Sequence, residues 1–231
     1  IYLSYSEPRE DGAAATAVAR ARLTLDDTGG GALTDVQTIF QQQTAVASSG
    51  NHFGSRLVWA PDGSLFVTTG DRGSARPAVQ KPDTTIGKVL NLKPDGSAAN
   101  SQPAQPDWDR KIWSLGHRNI QGAALDPATG ELWTVEHGAR GGDELNLTTR
   151  GKNYGWPIIT YSNEYFGGAI GEGTARPGIE QPVYYWDPVI APSGATFYTG
   201  DAFPAWKGQL FVGSLTPGAL VVRGTITCDG G

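Results

Sequence analysis

The sequence predicts an all-β fold, and three observations predict it. The chain carries 32 glycines and 15 prolines, a mixture that suits many tight turns and short strands. Apolar and polar residues alternate along short stretches, which is the period of a half-buried strand. One hairpin scheme recurs: Leu65, Leu132 and Leu210 hold equivalent places, 67 and 78 residues apart. No stretch reads as a long amphipathic helix.

The elements follow in chain order. Residues 1–6, 16–23 and 34–40 give a half-clear first copy. Residues 57–70 alternate around the turn Pro61-Asp62-Gly63-Ser64, and 88–92 supply the next strand. Residues 122–136 repeat the scheme around Asp126-Pro127-Ala128-Thr129-Gly130, with 144–147 following. Residues 195–199 and 208–213 repeat it with a longer turn, and 219–223 follow. A hairpin plus an outer strand, repeated about four times, is the pattern of a propeller blade. A β-sandwich also alternates, but it does not require the same hairpin to recur with the same turn chemistry. Residues 28–32, 98–106 and 167–177 read as surface loops. The expectation is a single domain over residues 1–231, with no internal boundary.

Bulk composition narrows the function. Of 231 residues, 18 are basic and 23 acidic, for a formal net charge of −5. A mildly acidic chain argues against nucleic acid as a partner, since neutralising phosphates needs clustered Lys and Arg. No run of about 18 apolar residues exists, so membrane insertion is not expected. The single cysteine, Cys228, excludes an internal disulfide framework. The chain starts inside an apparent strand and has no methionine, so a fragment or processed product is expected.

All three histidines lie in unusual pieces: Asn51-His52-Phe53-Gly54, Gly116-His117-Arg118-Asn119, and Glu136-His137-Gly138. His52 precedes a strand, and Asp71 ends the hairpin 19 residues later, so the two can meet on one rim. A carboxylate on one imidazole nitrogen fixes the tautomer and leaves the other free as a base. The plainer alternative is a surface histidine with an unrelated turn aspartate. Arg118, on a rim loop, offers a planar fork for an oxyanion or carboxylate; the alternative is a solvated loop arginine. Asp143 and Glu144 beside Gly141-Gly142 suit a hard cation, with carboxylates and freed carbonyls as oxygen ligands. Alone, they read more readily as an acidic turn that solvates a loop end. The sequon Asn146-Leu147-Thr148 sits on a strand, which argues against glycosylation. Tyr154, Trp156 and residues 184–186 supply aromatics that either stack on a planar ligand or pack between blades.

Together these motifs resemble one family, the soluble pyrroloquinoline-quinone-dependent aldose sugar dehydrogenases (glucose/sorbosone dehydrogenases). The resemblance runs in order through His52–Arg56, Gly70-Asp71-Arg72-Gly73, Gly87–Leu90, Gly116–Asn119 with Gln121-Gly122, Glu136-His137-Gly138, Gly142-Asp143-Glu144, Asn153-Tyr154-Gly155-Trp156-Pro157, and Trp186-Asp187-Pro188 with Ala191-Pro192-Ser193. It implies a six-bladed β-propeller, of which about four blades are here. It implies aldose oxidation at C1 to a lactone, with pyrroloquinoline quinone and calcium as cofactors and an external electron acceptor. His52 would be the general base, oriented by Asp71. Arg118, with Asn119 beside it, would stabilise charge on the quinone. His52, His137, Asp143, Gln80 and Trp186 would be further cofactor-side or sugar-side contacts. The carbonyls of Gly138 and Ala139 would hold the cofactor's calcium, while Glu144 and the main chain of Tyr154 would belong to a second calcium. A periplasmic or secreted location is implied too.

The chain departs from the family in three respects. Ala139 and Ile120 stand where proline is usual. Thr216 stands where a lysine commonly pairs with cofactor carboxylates, which removes a charge-assisted contact. A six-bladed member needs roughly 330 or more residues, above the generic blade length. The expectation is therefore that these residues alone bind quinone poorly. A second reading is a non-catalytic, calcium-stabilised propeller that binds carbohydrate or protein.

Overall fold

The computed structural model describes residues 1–43, 46–47, 49–216 and 221–224. Cys228 and part of the last expected strand lie outside the described residues. Among the described residues, fourteen strands make four antiparallel sheets, each a simple meander. The first holds β1 (Tyr2–Pro8), β2 (Ala14–Leu25) and β3 (Gly31–Gln41). The second holds β4 (Gly54–Trp59), β5 (Leu65–Thr69), β6 (Lys88–Leu92) and β7 (Ile112–Leu115). The third holds β8 (Ile120–Leu125), β9 (Leu132–Glu136), β10 (Asp143–Leu147) and β11 (Tyr184–Trp186). The fourth holds β12 (Pro192–Phe197), β13 (Leu210–Ser214) and β14 (Val221–Gly224). This is the expected succession of four blades. The only helices among the described residues are three single 3-10 turns.

Strand alternation builds the cores. Within β5, Leu65 and Val67 face the first sheet and pack with Val18, Phe40, Leu90 and Leu92. Phe66, between them, points the other way and packs with its neighbour Val89 and with Ile120 and Leu132 of the third sheet. β9 repeats the device: Leu132 faces back, while Trp133 and Val135 meet Phe197, Leu210 and Val212 of the fourth. A period of two therefore gives each central strand a core on both faces.

The inner strands lie side by side, β4 against β8 and β8 against β12. Gly122 permits that approach, because a Cβ there would stand 2.7 Å from the Gly194 carbonyl carbon. Arg56 of β4 crosses all three, donating to Gln121 O at 2.7 and 2.9 Å and to Ser193 O at 3.0 Å. The short outer strands β7 and β11 were not anticipated from the sequence. They bring the connecting loops to one rim, where the histidines collect.

Candidate functional site

The His52–Asp71 expectation matches the observed geometry. His52 Nδ1 lies 2.6 Å from Asp71 Oδ1. Asp71 is fully buried, and the His52 side chain keeps 19% of its surface accessible. Among the described hydrogen bonds, His52 Nε2 has none. Burial by itself would raise the Asp71 carboxyl. The His52 hydrogen bond and charge, the Gly73 N–H and the Arg118 charge outweigh it and hold the carboxyl below its usual value. Arg72 braces the segment from beneath, donating to Ser49 O at 2.7 Å and to Asn51 O, with its guanidinium against the Phe53 ring.

Arg118 is buried in the same place. Its Nη1 donates to His137 O at 3.1 Å and its Nη2 to Tyr165 Oη at 3.1 Å. Its Nε is buried without a partner. The adjoining backbone is tied down, since Arg118 O accepts from Asp71 N and Arg118 N donates to Glu136 Oε2. Asn119 Oδ1 accepts from Gly54 N, and Asn119 O accepts from His137 N. Burial, with the Arg118 and His52 charges, holds the His137 imidazole below its ordinary value. His52, Asp71, Arg118, Asn119 and His137 thus form one cluster fed by two blades.

Two of the other residues have different occupations. Both Asp143 oxygens serve backbone N–H groups: Gly138 at 2.8 Å, and Ile190 and Ala191 at 2.8 and 2.7 Å. Asp143 therefore braces the loop, its Oδ2 taking two N–H groups and its Oδ1 one. Gln80 is likewise committed, its amide bonded to both polar atoms of the Asn153 side chain and to Trp156 O. The loop carrying Gln80 is anchored by Lys88, whose buried Nζ donates to Val79 O and Ile86 O at 2.7 and 2.6 Å. Burial pushes that ammonium down to about 7. Trp186 pairs with Asp143 in the β10–β11 ladder, half-buried beside Tyr184.

A second feature lies behind the cluster. A cavity of about 10 Å³, the size of one water-sized sphere, is lined by Glu136, Glu144, Gly138, Tyr154 and Thr160. Glu144 is half-buried with its carboxyl on the enclosed side. Burial, Glu136 and Asp143 push that carboxyl up to about 8. Nearby, Asn146 Oδ1 is buried without a partner. Two carboxylates whose mutual repulsion makes one of them keep its proton, with an orphan amide oxygen nearby, have the donor chemistry of a hard-cation site. Gly138 N and Ala139 N are tied to Asp143 and Ser162, which sets the planes of this glycine loop. Among the described residues no three His, Cys, Asp or Glu side chains converge on one metal position.

Sequence reasoning missed the fixing residues. His117 is fully buried between Ser114 Oγ at 2.8 Å and Glu136 Oε1 at 2.9 Å, and its ring stacks on Tyr154. Trp156 was read only as a rim aromatic. The signal available was the unusual density of polar residues in otherwise apolar strand ends.

The glucose/sorbosone dehydrogenase family profile matches residues 1–228. The chain is 43% identical over 226 residues to aldose sugar dehydrogenase YliI of Escherichia coli (strain K12), covering 96% of this chain and 60% of that protein. A crystal structure of glucose dehydrogenase superposes with a TM-score of 0.90 at 43% identity, over 98% of this chain and 65% of that one. The PQQ-bound aldose sugar dehydrogenase of Streptomyces coelicolor superposes at 0.73 with 26% identity, over 98% of this chain and 58% of that one. The chain thus spans about 60% of the relatives it matches. With the motif order and four propeller blades already in place, a match of this extent shows that the chain belongs to the glucose/sorbosone dehydrogenase family.

Proposed function

We propose that the protein oxidises aldoses at C1 to lactones, using pyrroloquinoline quinone and calcium, and passes the electrons to an external acceptor. The observation that carries this reading is the 2.6 Å His52–Asp71 pair, in the cluster that also holds the unpartnered Nε of Arg118. Asp71 holds the proton of Nδ1, so Nε2 is the basic nitrogen. His52 Nε2 takes the proton of the anomeric hydroxyl, and the C1–O bond becomes a carbonyl as C1 gives up hydride. The quinone, when bound, supplies the two-electron sink for that hydride. Arg118 offers a fixed positive charge, and its unpartnered Nε is a donor still lacking an acceptor. The PQQ-bound relative supports the choice of cofactor.

This reading includes two calcium ions. The carbonyls of Gly138 and Ala139 would hold the ion that accompanies the quinone. Glu144 and the main chain of Tyr154, around the small cavity, would hold the second. Ionised Glu144 next to Glu136 is unfavourable without a cation, which supports this assignment.

The test is reconstitution of the full-length protein with quinone and calcium, followed by dye reduction with several aldoses. His52→Ala is expected to slow turnover by about 10²–10⁴-fold, the usual contribution of a general base. Dye reduction that needs no quinone, or that survives His52→Ala, would overturn the reading and favour a non-catalytic binding module.

A further inference from the structure

Asp71 has two oxygens, and only one of them holds the base. Oδ1 meets His52 Nδ1 at 2.6 Å and accepts from Gly73 N at 2.7 Å. Oδ2 accepts from the indole Nε1 of Trp156 at 2.8 Å, across 85 residues of sequence. Trp156 comes from the long loop after β10 and is 4% exposed. Its backbone is pinned at both ends, with N donating to Gly116 O and O accepting from Gln80 Nε2 at 2.7 Å. The ring packs with Val79, Ile86, Ala139 and Ile170. The Arg118 guanidinium carbon stands 5.4 Å from the ring centroid, within cation–π range. One side chain therefore touches both the carboxylate that orients the base and the arginine that carries the charge.

We propose that Trp156 is a positioning residue, whose indole N–H fixes the second oxygen of Asp71 and whose ring seats Arg118, so that base and charge are held as one unit. A carboxylate bound through one oxygen is free to turn about Cβ–Cγ. A second donor, arriving from another blade, sets its plane, and the imidazole inherits that orientation. The role as base rests on the proposed sugar oxidation; the positioning itself does not.

The consequence is a shift in proton affinity. Removing the indole donor leaves the Asp71 carboxylate more basic, which strengthens its hold on the imidazolium and raises the His52 pKa. The other charged groups facing this pair are Arg118, Arg72 and Arg76 around Asp71, and His137 beside His52. Trp156→Phe leaves the charge of each in place, while Arg118 and Arg76 keep a smaller aromatic face beneath them.

The experiment is an NMR titration of His52 in the quinone-free full-length protein. Trp156→Phe is expected to move the His52 midpoint upward by about 0.5–1 unit. In an Asp71→Asn background the same change is expected to move it no further. In the unaltered protein the Trp156 indole proton is expected to shift as His52 titrates, a readout that requires no variant to fold. An unmoved His52 midpoint, an equal shift without the Asp71 carboxylate, or an insensitive indole proton each overturns the proposal. In the holoenzyme, Trp156→Phe is expected to lower kcat about tenfold with sugar KM within about twofold. A raised KM with kcat intact also overturns it. If His52→Ala keeps full turnover, the oxidation reading fails while the NMR result still judges the positioning.

Discussion

His52 adopts φ 55°, a left-handed backbone that costs a side-chain-bearing residue of order 1–3 kcal/mol. Its surroundings force that conformation. Gly70 lies so close that a Cβ there would sit 2.0 Å from His52 O. Gly70→Ala is therefore expected to displace His52 and cut turnover at least about tenfold while the sheets stay intact, checked by kinetics beside circular dichroism. Asp71 makes a second prediction at this scale. Its folded pKa lies below the unfolded value of about 3.9. The stability it contributes is whole above that unfolded value and is lost as pH falls through the folded one. Asp71→Asn is expected to lose about 1–3 kcal/mol at neutral pH and to flatten the acid limb of stability, measured by urea unfolding across pH.

Elements divide into those the alternation reveals and those it does not. β5, β6 and β9 were legible because each is bounded by turn residues and sends neighbouring side chains to opposite cores. β7 and β11 were not, being only 4 and 3 residues long, too short for a period to register. Leu90→Ala on β6 is expected to cost about 2–5 kcal/mol, since its side chain is fully enclosed between two sheets. β10 carries a prediction of another kind. Glu144 holds its proton up to about 8 when folded but releases it near 4.5 when unfolded. Without a cation, stability should therefore fall as pH rises between those values. Calcium is expected to remove that slope and raise Tm at pH 8. Glu144→Gln should be more stable than the unaltered protein in chelator, and indifferent to calcium at this site.

At the scale of the molecule, the inner strands run β1, β4, β8 and β12 without closing. Among the described residues β12 packs against the third sheet and makes no comparable packing with the first. The aromatic residues Phe197, Tyr198, Trp206 and Phe211 line an open cleft of about 600 Å³ on the face of the fourth sheet. On the proposed function, a quinone seated beside His52 and Arg118 would meet only the loops of the second and third sheets. Residues 1–231 alone are thus expected to bind quinone at least about tenfold more weakly than a chain extended to the length of its relatives. Equilibrium titration of both would check it; equal affinity would show that four blades suffice.

The all-β class and the blade repeat were legible along the chain, and the pairing of His52 with Asp71 was one of two readings it offered, which the fold then decided. Each of these follows from local rules: side-chain period, turn chemistry and the closeness of hairpin ends. The sequence also placed Arg118 and the glycine loop on a rim. Only the tertiary structure decided what each polar atom is bonded to. Asp143 proved to be a brace because the backbone N–H groups of Ile190 and Ala191 arrive from 47 and 48 residues away. Gln80 proved to be committed to Asn153 and Trp156, and Trp156 to Asp71. Such partners are separated by tens of residues and meet only when loops from different blades fold onto one rim. No spacing rule along the chain encodes that meeting.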